Sequence, residues 1–181
     1  DKKVLKNKLF LDLVKKIERA NPLKAKDLEK YLLLINKIHG YTTEYEFKPV
    51  PQVEGNKVAD LIMNVSTQRG KANVLINNHG TSDLGKHQIE VSSQLYNSFS
   101  NDSIMLNLGT SEKPKRFQLI TAGYLKRLNS YGTSASVLFS YLKDDPNITT
   151  GSSDNKTAII KGRLDHYAVL NNDRSVKLEL G

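Results

Sequence analysis

The sequence predicts an α+β chain in two parts: two amphipathic helices on a short sheet, then an antiparallel β-meander whose strands are long enough to belong to a membrane barrel. Three observations predict it. Across residues 32–85, LLLINKIHGYTTEYEFKPVPQVEGNKVADLIMNVSTQRGKANVLINNHGTSDLG, the apolar period changes from helical to alternating. Beyond residue 71 the pattern is strand, turn, strand, with little else. The turns themselves alternate between short and longer connections.

The first helix is expected over 4–19, where Leu5, Leu9, Leu13 and Ile17 form an i, i+4 stripe that Phe10 and Val14 widen. Asn21 and Pro22 end it, because the residue before a proline is pushed out of the helical region. The second helix, over 25–37, buries Leu28, Leu32, Ile35 and either Leu33 or Leu34, and Gly40 supplies the left-handed turn after it. A strand over 41–47 puts Tyr41, Thr43, Tyr45 and Phe47 on one face and is stopped by Pro49 and Pro51. A turn at 54–56 leads to a strand over 58–67, with Val58 and Asp60 on one face and Leu61, Met63 and Val65 on the other. Two such helices cannot bury both stripes alone, so this hairpin is their natural cover. Leu9, Leu13, Leu28, Leu32, Ile35, Leu61, Met63 and Val65 are the expected core.

A joint at 68–71 separates this unit from seven strands expected over 71–78, 84–96, 103–110, 115–125, 131–143, 156–169 and 174–180. Connections at 97–102, 127–130 and 171–173 are short; those at 79–83, 111–114 and 144–155 alternate with them, the last being the longest. Val137, Phe139 and Tyr141 share a face with Ala135, opposite Ser134, Ser136, Ser140 and Leu138. Ile89, Val91 and Leu95 oppose Gln88, Glu90 and Ser92, while Leu164, Ala168 and Leu170, with His166, oppose Lys161, Arg163 and Asp165. Alternation alone suits a soluble sheet as well as a barrel. Strands of about 10 to 14 residues favour the barrel, since a soluble strand averages roughly five or six.

A helix ending LLLINKIHG, a hairpin closing on VADLIMNV, a strand ending INNHGTSDLG and the later segment YLKRLNSYGTSASVLFSYLK resemble the outer-membrane transporters of two-partner secretion, which export haemolysins and filamentous-haemagglutinin-like adhesins. His39 stands where proline commonly precedes the glycine in that family. The resemblance implies that residues 1–69 are a partial POTRA-like periplasmic domain, beginning after the strand that precedes the first helix in the family and so left with an incomplete sheet. Residues 70–181 would be the first seven strands of a transmembrane β-barrel. Single-chain bacterial barrels use even strand numbers from about eight upward, and the family about sixteen, so the sequence is expected to be a piece of a longer chain. The family's later loop motif of Val, Arg, Gly and Tyr does not occur in it.

The function implied is transport. The periplasmic module would capture an unfolded exoprotein on the edge formed by Tyr41, Thr43, Tyr45 and Phe47, with Leu28 and Tyr31 of the helix taking alternate side chains. The barrel would pass it across the outer membrane along a lumen lined by Ser134, Ser136, Ser140, Lys161, Arg163 and Asp165. Outer-membrane lipid is the other partner, and no cofactor, metal, enzymatic activity or nucleic acid is implied. The alternative is a soluble α+β binding or adhesin fragment.

Composition agrees with these limits. No run approaches the roughly 18 apolar residues of a membrane helix, which leaves an alternating barrel open. Of the formal charge of +8, residues 1–40 hold eleven Lys and Arg against five Asp and Glu, a net of +6, so the charge solvates outward helix faces. The absence of cysteine removes disulfide and thiolate chemistry. His39, His79, His87 and His166 have no metal-ligand spacing. Asp144 and Asp145 before Pro146 suit a turn better than a calcium loop. The four glycosylation-type triplets beginning at Asn64, Asn101, Asn147 and Asn155 are expected by chance in so Asn- and Ser-rich a chain.

Overall fold

The computed structural model describes residues 4, 7–20, 22–49, 59–97, 99–148, 151–152, 154–170 and 173–181. The expected places of Leu5, Val58, Pro51 and the 54–56 turn lie outside them.

Helix α1 (Lys8–Arg19) begins later than the apolar stripe suggests, because Asn7 caps it: its side-chain oxygen accepts from the Phe10 amide at 3.2 Å. Lys16 and Arg19 in the last turn suit the negative end of the helix dipole. Helix α2 (Ala25–Asn36) has no side-chain N-cap, and Asp27 in its first turn is the acidic residue that end favours. Gly40, with φ +77°, turns the chain into β1 (Tyr41–Pro49), which pairs antiparallel with β2 (Ala59–Thr67). A Cβ on Gly40 would lie 2.4 Å from the Gln68 carbonyl oxygen, so no larger residue fits there. The core of this unit is Phe10, Leu13, Ile17, Leu28, Leu32, Leu34, Ile35 and Ile38, with Val4 added. The expected Leu9, Leu61, Met63 and Val65 are half-buried against it. Of the two open choices on α2, Leu34 is the buried residue and Leu33 the half-buried one.

The second sheet has seven strands in simple meander order: β3 (Gly70–Asn77), β4 (Gln88–Tyr96), β5 (Asp102–Ser111), β6 (Phe117–Arg127), β7 (Thr133–Asp144), β10 (Asn155–Leu170) and β11 (Ser175–Leu180). A small hairpin of β8 (Asn147–Ile148) and β9 (Gly151–Ser152) sits in the connection between β7 and β10. Every pairing is antiparallel and the sheet does not close: β3 and β11 are its edges. Three central strands have 10, 11 and 12 residues as expected, whereas β3 and β4 have 8 and 9, β10 has 16 and β11 has 6.

Strand β4 starts four residues late for a local reason. Thr81 accepts the Gly85 amide on its carbonyl and the Leu84 amide on its hydroxyl, which folds 81–85 into a turn instead of extending it. The apolar-face assignment of Leu170 is also corrected. The register slips between Tyr167 and Val169, a β-bulge, and Leu170 past it is buried in the helical core.

Candidate functional site

The sheet has two unlike faces, and cross-strand pairing fixes which residue is on which. Ser134 pairs with Asp165, Ser136 with Arg163, Leu138 with Lys161 and Thr121 with Ser140. Directly paired residues of an antiparallel ladder point to one face, so the six expected lumen residues are brought together on one surface. Gln94 and Ser103, Asn107 and Ser92, and Glu179 opposite Asp165 extend that surface across the sheet. Two hollows open on it, one of about 440 Å³ beside the helical unit and another of about 320 Å³ lined by Met105, Gly123, Leu138 and Lys161.

The other face carries Val74, Ile76, Val91, Leu106, Leu108, Ile120, Val137, Phe139, Ile160 and Leu178, all exposed, with Ile160 at 74% and Ile76 at 71%. The burial of this sheet is inverted. Apart from Leu170, its buried residues are polar or charged: Asp102, Ser103, Ser111, Arg127, Ser134 and Asp165. An apolar patch spanning seven strands far exceeds what a soluble monomer leaves in water.

The short connections at 97–102 and 127–130 lie at the helical end of the sheet and their described residues dock on it. Asn97 donates to the His39 carbonyl at 2.5 Å, and Asn7 donates to Asn101 at 2.6 Å. Ser130 donates to Asp12 and accepts from Lys16, whose ammonium also stands 3.7 Å from the centre of the Tyr131 ring. Lys37 lies over Tyr167, 4.8 Å from the ring centroid. The joint is two residues long and tied on both sides: the Gln68 amide donates to Gly40 and the Tyr96 amide to Arg69. The connections after β3, β5 and β7 leave the opposite end, where Ser111 donates to the Leu84 carbonyl and Arg116 to the Asp83 carbonyl; the first and last are long, but the one after β5, expected to be longer, runs only over 112–116 and matches 128–132.

The second candidate surface is the free edge of β1. The Thr43 amide donates to the Asn36 side-chain oxygen at 2.8 Å, and the Tyr41 amide to the Ile38 carbonyl, so both point away from β2. Because alternate residues of an antiparallel strand direct their amide and carbonyl to the same side, Tyr45 and Phe47 also face outward. Asn36 therefore closes the edge at Thr43, and Tyr45 and Phe47 leave it open. Their rings, 52% and 53% exposed, form one wall of a hollow of about 470 Å³ whose other wall is Leu23, Leu28 and Leu32. Of the six residues expected at a client site, the structure gathers Leu28, Tyr45 and Phe47. Tyr41 is drawn away to pack edge-on against Phe10, Thr43 is buried, and Tyr31 packs on the core without lining the hollow.

No family model matches this sequence, and no curated protein matches it.

Among the described residues no three His, Asp or Glu side chains gather as a metal would require, and no helix is long and apolar enough to cross a membrane. His87 pairs with Glu112 across 2.6 Å, which together with the Lys86 amide holds the Glu112 carboxyl below its usual range. The hydroxyl of Ser130 does the same for Asp12, outweighing an opposing effect of burial, with a smaller contribution from the charge of Lys16. Burial of His39 beside the Arg127 guanidinium lowers its pKa, against a weaker opposite pull from Asp102. Sequence reasoning missed Asn36, His39 and Arg127. Only Arg127 carried a signal, as a charged residue at a strand end next to a short turn.

Proposed function

We propose that this chain belongs to an outer-membrane protein transporter of the two-partner secretion type, with the helical unit in the periplasm and the seven-stranded sheet as part of its transmembrane barrel. The observation that carries the reading is the inverted burial of the sheet. Polar residues are enclosed and large apolar ones exposed, which suits lipid outside and water inside. Two further features support it: the two longest connections, after β3 and after β7, leave the sheet at the end away from the helical unit, and those at 97–102 and 127–130 dock on that unit, as periplasmic turns beside a periplasmic domain would. The helical unit receives an unfolded exoprotein as an added strand along Tyr45 and Phe47, with an apolar side chain entering the hollow beside Leu28 and Leu32. The polar face then forms part of the wall of the path across the membrane.

Single cysteines in the full-length protein in membranes test this reading. Cysteines at Ser136 and Ser140 are expected to react with a water-soluble thiol reagent, and those at Val137 and Phe139 to take up a lipid-soluble probe. Equal aqueous reaction at all four positions would replace the transporter with a soluble α+β protein whose apolar face is covered by a partner.

A further inference from the structure

We propose that the hollow between the α2–β1 turn and the polar face of the sheet is an anion site that holds a carboxylate side chain of an extended acidic polypeptide. The inference rests on the transport reading for its occupant, and on the geometry of the hollow for its charge preference.

Four fixed cations, Lys37, Arg127, Arg163 and Lys177, line this hollow with a single carboxylate, Asp165. Two of the cations are already compensated. Arg163 Nε lies 3.2 Å from Asp165 Oδ1 and Lys177 Nζ 3.7 Å from the same atom, though Oδ1 accepts no aligned hydrogen bond from either. Glu179 pairs with both cations from the side.

Arg127 is different. It is only 6% exposed, its amide is held by the Asn101 carbonyl at 2.9 Å, and no acidic side chain among the described residues lies within ion-pairing distance of it. A guanidinium cannot escape burial by losing its proton, and a buried charge without a counter-charge is costly unless an anion or water reaches it. Lys37, which makes no ion pair among the described residues, rests on Tyr167 across the same space. The site is thus short of negative charge, and a planar carboxylate matches the guanidinium fork.

The shape of the surroundings selects a polypeptide. The hollow meets the second one through Gln94, Leu125 and Arg163, which line both. The floor of that second hollow is Met105, Gly123 and Leu138, and a Cβ on Gly123 would lie 2.8 Å from Met105 Cγ, so the glycine keeps this floor low. A cationic hollow followed along the sheet by an apolar one suits an extended chain in which acidic and apolar side chains alternate. Tyr41 and Thr42 at the start of β1 line the first hollow, which places it beside the strand whose outer edge is open.

The experiment uses the full-length protein in micelles and two labelled peptides of equal length, one alternating Asp with Leu and the other Asn with Leu, read by fluorescence anisotropy. The acidic peptide is expected to bind about tenfold or more tightly than the neutral one, and less tightly as salt rises. Arg127→Gln should abolish the preference and Arg127→Lys restore part of it. Should Arg127→Gln fold poorly, Lys37→Gln, a change at the outer rim, should still weaken acidic binding several-fold while leaving the neutral peptide unaffected. Equal binding of both peptides, or an unchanged preference in Lys37→Gln and Arg127→Gln together, would overturn the site. Millimolar inorganic phosphate binding at Arg127 while the acidic peptide does not would overturn the polypeptide carboxylate as its occupant. A wet apolar face in the cysteine experiment, with peptide preference intact, would remove the transport reading and leave the anion site standing.

Discussion

The helical unit and the seven-stranded sheet solve opposite packing problems. In the first, Leu13, Leu34, Ile35 and Ile38 are exposed by 2% or less, and charged residues sit outside. In the second, Val137 is 53% exposed and Ile160 74%, while Asp102 is fully buried and Ser134 and Asp165 nearly so. Asp102 is buried at no loss of hydrogen bonding, since it accepts from the Phe99 amide and the Tyr124 hydroxyl. The same chain thus follows the rule for water in one half and inverts it in the other. On the transport reading proposed above, what differs is the medium each half is built for.

The sharpest way to break this contrast is to remove equivalent apolar volume from each half. Ile35→Ala empties a fully buried site and should cost about 2 to 5 kcal/mol of stability. Ile160→Ala removes the same atoms from an exposed site and should cost far less when unfolding is followed in micelles. Equal losses would mean that both halves bury their apolar groups against protein, and the contrast would vanish.

A charge sharpens the comparison within one strand. On the transport reading, with this strand crossing the bilayer, Arg at Val137 should destabilise the protein by roughly 2 to 4 kcal/mol, whereas Arg at the adjacent Ser136 should be tolerated and change ion selectivity of the pore. Ser136 faces Arg163 across the ladder, so some local repulsion is expected there even in the tolerated case. Urea titration of both variants in bilayers measures the difference, and a Ser136→Arg variant as unstable as Val137→Arg would falsify the assignment of faces.

Much of this was legible in the sequence, and the exceptions have a common cause. Period identifies both helices, the hairpin and all seven strands, because each rests on neighbours a few residues apart. Leu170 was misplaced because one bulged residue flips every side chain beyond it, and nothing local marks the bulge. The docking of Ser130 on Asp12 and Asn97 on His39 joins residues 118 and 58 positions apart, which no pattern of spacing encodes. The groove beside Tyr45 and Phe47 was half legible. Alternation put them on a face with Tyr41 and Thr43, but where α2 stops covering that face is a matter of packing.

The seam where the two halves meet should be weaker than either. Ser130→Ala removes the hydroxyl that bridges Asp12 and Lys16, and a net loss of about 0.5 to 1.5 kcal/mol is expected. Thermal melting of the variant checks it. Because Asp12 is held below its usual pKa chiefly by that hydroxyl, the variant should also lose some of the wild type's sensitivity to acid. A folded carboxyl with a depressed pKa stabilises above its unfolded value and loses that contribution as pH falls through the folded one.

His39 gives the seam a second pH dependence, smaller and at higher pH. Its ring lies parallel to Tyr96 with centroids 6.4 Å apart, and its carbonyl accepts from Asn97. Burial, reinforced by the Arg127 guanidinium, lowers the pKa of this histidine in the folded protein below its ordinary value of 6.5. Between those two values the unfolded chain carries the proton and the folded chain does not. The unfolded state binds more protons there, so stability rises with pH across that window. Lowering the pH from 7 through 6.5 should therefore loosen the seam progressively, and the loss should level off once pH passes below the folded pKa. His39→Gln, which keeps a polar side chain but cannot titrate, should flatten the slope in this window and leave the acid limb set by Asp12 in place. Hydrogen exchange at the amides of residues 39–41 and 96–97, compared between pH 7.5 and 5.5, reads the seam directly. If exchange in the wild type and in His39→Gln responds to pH alike once the intrinsic chemical rate is divided out, the buried neutral histidine has no part in holding the two halves together.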